Sequence, residues 1–346
     1  MDEIRSTAGR KSARPINVRL KDVAELAGVS AITVSRVVNT PNIVSEPLRA
    51  KVNDAIRELG YVPNRVAGAL ATAESRAVLV IVPSLSNAVF IEVIQGIQDV
   101  LEVAGYQMLL GNTQYDLARE QDLITTLLGW SPAGVILAGL KHTEGTRALL
   151  KNWNRPVVEI MEHGTRPIDM NVGLSHYKAG ETMGDHLVAR GYREIGFIGG
   201  RLTTDYRAQH RFKGLDRCLA RHGLRRRPPF THDEKSSPQV GAEALMRTLD
   251  AAPELDALFF ANDDLAVGAI LRAREEGIPV PGRVAIAGFN GFGIGTLVRP
   301  SLTTIVSPRQ QMGEMAATKL ITRIRQEDPG RKSVNIGFTL RTGTST

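Results

Sequence analysis

The sequence predicts an α/β protein with an N-terminal three-helix head built on a helix-turn-helix, a short hinge helix, and a body of doubly wound parallel sheets in two lobes. Three observations predict it. Short amphipathic helical patterns fill the first seventy residues, and from Arg76 onward β-branched runs alternate with amphipathic helices. Positive charge is denser at the front: residues 1–72 hold 11 Lys/Arg against 7 Asp/Glu, whereas the rest of the chain holds 32 against 29. A basic head on a near-neutral body suits a polyanion-binding module.

Residues 1–17 read as a loose basic arm. They contain no apolar stretch of signal-peptide length, and no run of 18 apolar residues occurs in the 346-residue chain, so neither export nor a membrane span is expected. The single cysteine, Cys218, has no partner for an internal disulfide or a thiolate cluster. A cytoplasmic protein without cofactor or metal is the expectation.

The head spans 18–62. In "LKDVAELA", Leu20, Val23, Ala24 and Ala27 share one helical face, and Gly28 permits the left-handed turn that ends the helix. Ser30 is placed to cap a second helix, on which Val34, Val37 and Val38 cluster on one side. Ser45 is placed to cap a third, with Pro47 in its first turn and Leu48, Val52, Ala55, Ile56 and Leu59 as its buried stripe. On the second helix Ile32, Arg36 and Asn39 lie opposite the valines. Arg36 suits a guanine edge or a phosphate, and Thr33, Ser35 and Asn39 suit phosphate or base edges. Residues 63–75 read as a hinge: Pro63 breaks the chain, Asn64 caps barely two turns, and Gly68 weakens them.

At this point the stretches "VRLKDVAELAGVSAITVSRVVN" and "VSEPLRAKVNDAIRELGYVPNRVAGAL" resemble the lactose repressor family of bacterial transcription regulators. The resemblance implies a second helix in the major groove of a palindromic DNA operator, reading through Ala31, Ile32 and Arg36. It also implies hinge helices paired in the minor groove, with Leu70 as an intercalating wedge and Asn64 and Ala67 at groove or partner contacts. Ile32 beside Arg36 suits a thymine methyl, and Ala31 permits close approach to the groove floor.

In the body the strand-like runs are "AVLVIVP", "YQMLLGNT", "AGVILAG", "PVVEIM", "EIGFIGG", "ALFFAND" and "VAIAGFN", followed by "LTTIVSPRQQMGEMAATKLITRIRQ" and "NIGFTLRTG". Runs of this kind read as parallel strands buried on both faces, and their number exceeds one mononucleotide fold. The resemblance extends here and implies a periplasmic-binding-protein-like effector and dimerisation body over 76–346. Its first lobe would hold about 76–174 and 309–333, its second about 175–308 and 334–346, with the ligand in the cleft at the carboxyl ends of the strands.

Polar residues at those strand ends are the candidate effector contacts: Ser84 and Asn87 with Phe90 one turn on, Asn262 and Asp263, Asn290, and Arg211 on the helix after "EIGFIGG". The resemblance implies effector contacts at these positions. Asn290 stands where the family usually carries an aspartate, so an anionic ligand meets less repulsion, and Arg211 suits a carboxylate or phosphate. Glu159 joins this set, although it and Glu162 fit a cleft-lining or a capping role equally. "VGLSHYKAG" carries Ser175 and His176 where Asp-Asn is common. Several stretches, among them "PSLSNAVFIEVIQGI" and "AIAGFNGFGIG", look most like regulators of gluconate utilisation, implying a sugar-acid effector such as gluconate; another sugar or sugar phosphate is the alternative.

Enzyme chemistry has little support: the glycines at 291, 293 and 295 do not give G-x-G-x-x-G spacing, and no nucleophile elbow, zincin or Walker pattern occurs. A solute-binding protein would not need the head. The expected function is therefore a DNA-binding regulator, a repressor released by its effector, although activator and repressor differ only by promoter position. Without a heptad extension after the last strand, a homodimer is expected.

Overall fold

The computed structural model describes residues 18–62 and 75–346, which form two units, a head and a body. In the head, α1 (Leu20–Leu26), α2 (Ala31–Asn39) and α3 (Glu46–Leu59) surround a core of Val23, Ala24, Ala27, Val34, Val37, Val52 and Ala55. Gly28 takes φ +58° between α1 and α2, and Ser30 Oγ accepts from Thr33 N at 3.2 Å, capping α2. Three details depart from expectation, the first being that Leu48, expected in the buried stripe of α3, is only half-buried and lies outside the core cluster. Ser45 occupies the cap position of α3 but its hydroxyl makes no capping bond, Pro47 having removed one of the N–H groups that need a partner. Val38 is only half-buried and lies outside the core cluster, so two valines, not three, anchor α2.

The body contains two six-stranded sheets. The first joins β1 (Ala77–Val82), β2 (Gln107–Asn112), β3 (Gly134–Ala138), β4 (Val157–Glu162), β5 (Met170–Leu174) and β11 (Ser333–Asn335) in the order β11-β5-β4-β3-β1-β2, every pair parallel. The second joins β6 (Ile195–Gly200), β7 (Phe230–His232), β8 (Ala257–Phe260), β9 (Ala285–Asn290), β10 (Thr303–Val306) and β12 (Thr339–Arg341) in the order β12-β10-β9-β8-β6-β7, antiparallel only at β12.

Helices cover both faces of the first sheet. Alternate strand residues Val78, Val80, Ile136 and Val158 pack beneath α4 (Ala88–Val103) and α12 (Arg309–Ile324). Their neighbours Leu79, Ile81, Val135 and Val157 pack with Ile124 of α5 (Leu117–Leu128) and Leu150 of α6 (Glu144–Asn152). Beside the second sheet lie α7 (His176–Ala189) against α8 (Tyr206–Arg221), and α9 (Pro238–Ala251) against α10 (Asp263–Glu275), with a single turn, α11, at Ile294–Leu297. The chain passes between the sheets three times: after β5, after β10 and after β11. Because Ser333–Asn335 pair with β5, the first sheet runs to residue 335.

Candidate functional site

On α2, Ile32 is 65% exposed, and Arg36 and Asn39 are exposed beside it. Thr33 Oγ1 lies 2.9 Å from Ser30 Oγ, and Asn39 donates to Ser35 Oγ at 3.2 Å, so these polar groups are held by one another. Arg36 forms no ion pair among the described residues. Ala31 packs half-buried against the head core. The exposed surface of α2 thus presents an apolar side chain, Ile32, beside a cationic one, Arg36. Asn64, Ala67 and Leu70 lie outside the described residues.

In the body, the chain kinks at Met161 (φ +84°) and places Glu162, 5% exposed, at the carboxyl end of β4. Glu162 Oε1 accepts from Leu140 N at 2.7 Å and from Tyr206 Oη at 2.6 Å. Tyr206 opens α8 on the opposite sheet, so this bond spans the two lobes. Gly139 (φ +109°) makes the approach possible, since a Cβ there would lie 2.5 Å from Tyr206 Oη. Glu162, His163, Ser175, His176, Tyr206 and His210 line a cavity of about 520 Å³.

Beside Tyr206 the cleft is cationic. Arg207 stacks its guanidinium 5.5 Å from the Tyr206 ring centroid, and its Nη1 is buried with no hydrogen-bond partner among the described residues. One turn on, Arg211 is 5% exposed: Nη1 bonds His176 Nδ1 at 2.9 Å, Nη2 donates to Ala261 O at 2.9 Å, and the group lies 4.1 Å over the Phe289 ring. Arg211 Nε is buried and unpartnered among the described residues. Neither arginine has a carboxylate partner within salt-bridge distance there. Burial pushes Arg211 down to about 10 against the pull of Asp205, and Arg207 pushes the same way. Burial likewise drives His176 well below its ordinary range, with Arg211 and Arg207 adding to it. His176 Nδ1 accepts from Arg211, so its proton sits on Nε2, which is buried without a hydrogen-bond partner among the described residues.

The residues expected at the strand ends divide by what holds them. Ser84 Oγ accepts from Asn87 N (3.1 Å) and Ser86 N (3.3 Å), bracing its turn. Asn87 caps α4 through Val89 N (3.0 Å) and donates to Tyr115 Oη at 3.1 Å. Tyr115 in turn lies within electrostatic reach of Arg207 and Asp205, which brings the first-lobe turn to the cationic side of the cleft. Asn262 caps α10 through Leu265 N (3.1 Å) and directly follows the Ala261 carbonyl that Arg211 grips. Asn290, at φ +121°, directly follows Phe289, and its carbonyl accepts from Arg309.

Three others point into packing. Phe90 is 2% exposed in the main core. Asp263 is fully buried and accepts from Thr304 Oγ1 (2.6 Å) and Phe292 N (2.7 Å). Glu159 faces α5 and α6, where it bonds His142 Nε2 (3.2 Å) and the Ile168 amide. Tyr115, His176, Tyr206 and Arg207 complete the cleft and were not singled out from sequence as contacts. Tyr206 and Arg207 start a helix after a strand, the signal already applied to Ser84 and Asn262.

Outside the cleft, Asp185, Cys218 and His222 bring ligand atoms within 4.8 Å of one another. Arg221 holds the same carboxylate oxygen that a cation would use, and burial together with Asp185 pushes the Cys218 thiol up to about 12. A resident guanidinium already occupies that cluster.

Among the described residues no helix is long and apolar enough to cross a membrane. Residues 19–64 match the family described as bacterial regulatory proteins, lacI family, and residues 184–346 match a periplasmic binding protein-like domain. The chain is 39% identical over 337 residues to the helix-turn-helix transcriptional regulator GntR of Escherichia coli K12, covering 97% of this chain and 99% of that protein. A lacI-family transcriptional regulator from Silicibacter pomeroyi superposes with a TM-score of 0.89 at 39% identity, covering 95% of this chain and 99% of that one. The lac repressor dimer bound to operator and the anti-inducer ONPF superposes with a TM-score of 0.83 at 25% identity, over 95% and 99% of the two chains. With a helix-turn-helix head, two parallel lobes and full-length likeness to these regulators, the chain belongs to the lacI family and is a DNA-binding transcriptional regulator of its GntR type.

Proposed function

We propose that this regulator represses genes of gluconate-type sugar-acid catabolism, binding a palindromic operator as a homodimer and leaving it when a sugar acid enters the cleft. The observation that carries the effector class is an arginine pair, Arg211 buried and Arg207 half-buried: Arg207 Nη1 and Arg211 Nε are out of contact with solvent and unpartnered among the described residues. A buried guanidinium without a carboxylate is costly. A ligand carboxylate supplies the missing charge and charge-assisted hydrogen bonds together. The polar groups Asn87, Tyr115, Asn262 and Asn290 lie at or just beyond the carboxyl ends of strands and suit the hydroxyls of a polyol chain.

At the operator, Arg36 supplies the forked donor and Ile32 the methyl-sensing contact in the major groove, with Thr33, Ser35 and Asn39 toward the backbone. In the hinge, Asn64 and Ala67 meet the minor groove or the partner subunit, and Leu70 unstacks a central step. Release follows if the effector binds one arrangement of the lobes more tightly than the arrangement compatible with DNA.

The test is a gel shift on the gene's own upstream region with gluconate, ketogluconates and phosphogluconate titrated in. Sugar acids release the wild-type protein, and Arg211→Ala or Arg207→Ala loses that response. Release by a neutral sugar alone overturns the sugar-acid reading; a response surviving both substitutions removes the arginines from the site.

A further inference from the structure

We propose that Glu162 selects among sugar acids, admitting a monoanion with a hydroxylated tail and rejecting one that carries a second anionic group at its far end. The inference rests on the sugar-acid reading above and adds the feature that limits it.

Glu162 is a carboxylate held in the cleft wall, not a surface charge: it is 5% exposed and lines the cavity. Its Oε1 is already taken by the Leu140 amide at 2.7 Å and the Tyr206 hydroxyl at 2.6 Å. Among the described residues nothing bonds Oε2. An ionised carboxylate only accepts, so a ligand meeting Oε2 must bring a donor, and a sugar hydroxyl is one. Neither of the other acids near the cleft lines the cavity. Asp205 Oδ1 caps α8 through Ala208 N at 3.0 Å, and Asp263 is tied to Thr304 and Phe292. Position 290 is an amide. Glu162 is therefore the carboxylate that a ligand's tail meets.

The two arginines do not share it equally. Arg207 stacks on the ring of Tyr206, the residue that bonds Glu162, whereas Arg211 lies one turn further along α8 against His176 and Ala261, and both feel Asp205. The ligand's single carboxylate is thus best neutralised toward Arg211, leaving its hydroxylated chain to run toward Glu162. A second carboxylate or a phosphate on that chain would face a like charge inside a cleft of reduced dielectric. That juxtaposition weakens binding by roughly a hundredfold. Because Tyr206 reaches Oε1 of the same carboxylate from the other lobe, a hydroxyl on Oε2 sits beside an interlobe bond. Recognition of the tail and the contact between the lobes therefore use the same oxygen pair.

The experiment follows release of the full-length protein from fluorescent operator DNA by anisotropy, with gluconate, glucarate and 6-phosphogluconate as probes. Wild-type protein is expected to need roughly a hundredfold more of either probe with a second anionic group than of gluconate. In Glu162→Gln the gap should shrink below tenfold, while Glu162→Asp, which keeps the charge, should retain it; thermal melting checks the fold of both. A gap that persists in Glu162→Gln, or wild-type protein that prefers glucarate or 6-phosphogluconate, overturns the selection role while leaving the sugar-acid reading standing. Wild-type release by neutral sugars alone overturns both.

Discussion

Replacing His142 with glutamine removes the centre of a buried ion network in the first lobe and with it a pH-dependent part of the protein's stability. His142 Nδ1 lies 2.7 Å from Glu120 Oε1 and Nε2 lies 3.2 Å from Glu159 Oε1, with Arg147 3.8 Å from the same Glu159 oxygen. The imidazole and the Glu159 side chain are wholly inaccessible, and Glu120 nearly so. A ring nitrogen on each carboxylate requires two N–H donors, so the network calls for the imidazolium. Burial by itself would depress His142; the hydrogen bonds and charges of the two glutamates outweigh it and raise the group to about 9 from 6.5. A group raised on folding stabilises fully below its unfolded pKa and loses that contribution as pH rises through the folded one. The window therefore runs from about pH 6.5 to above 9, and the shift corresponds to about 3 kcal/mol. Both tryptophans, Trp130 and Trp153, belong to this lobe, so urea unfolding followed by their fluorescence reports the right part of the chain. Wild-type protein should lose about 3 kcal/mol between pH 6.5 and 10 relative to His142→Gln. The variant should be the less stable at pH 6.5 because two buried carboxylates have lost their partner. Equal slopes in the two proteins over that range would refute the assignment.

Two further substitutions test the packing and the head. Gly214→Ala places a Cβ 2.0 Å from the Tyr177 carbonyl, where only backbone can yield, so α7 and α8 must separate. A loss of about 1–3 kcal/mol is expected, and an unchanged melting curve would show that the two helices tolerate the spacing. Ile32→Ser removes the exposed apolar group from α2 and should relax preference at one T·A position by about 1 kcal/mol in competition between operator variants. An unaltered preference at every position would remove Ile32 from the reading surface.

Much of the fold was legible because its strands are long, β-branched and buried on both faces, and because helix caps and glycine turns are written locally. What escaped the reading has physical reasons. β7 and β11 have three residues each, too few for a pattern. β5, "MNVGL", carries a polar residue where a buried strand should be apolar. That residue, Asn171, is fully buried and donates to the carbonyls of Glu159 (2.9 Å) and Glu162 (2.7 Å). A buried amide satisfied by backbone is invisible until the strands are paired.

The site divides along the same line. Arg211 could be picked out because its place on a helix following a strand coincided with what the family resemblance implies. The unpartnered state of its Nε, like that of Arg207 Nη1, is a property of tertiary packing. Glu159 and Glu162 show most clearly where local reasoning ends. Both sit in β4, and composition leaves their roles open. Alternation along the strand decides Glu159, which shares the face of Val157 and so meets His142 and Glu120 from the α5 and α6 side. Had the alternation continued undisturbed, Glu162 would have joined the opposite, apolar face with Val158 and Ile160. The left-handed backbone at Met161 intervenes and turns Glu162 toward Leu140 and Tyr206. A non-glycine residue holds that conformation only where its surroundings compel it. Here the Asn171 amide grips the carbonyls on either side of Met161, those of Glu159 and Glu162. The same buried amide that hid a strand from the sequence thus fixes the kink that delivers a carboxylate to the cleft.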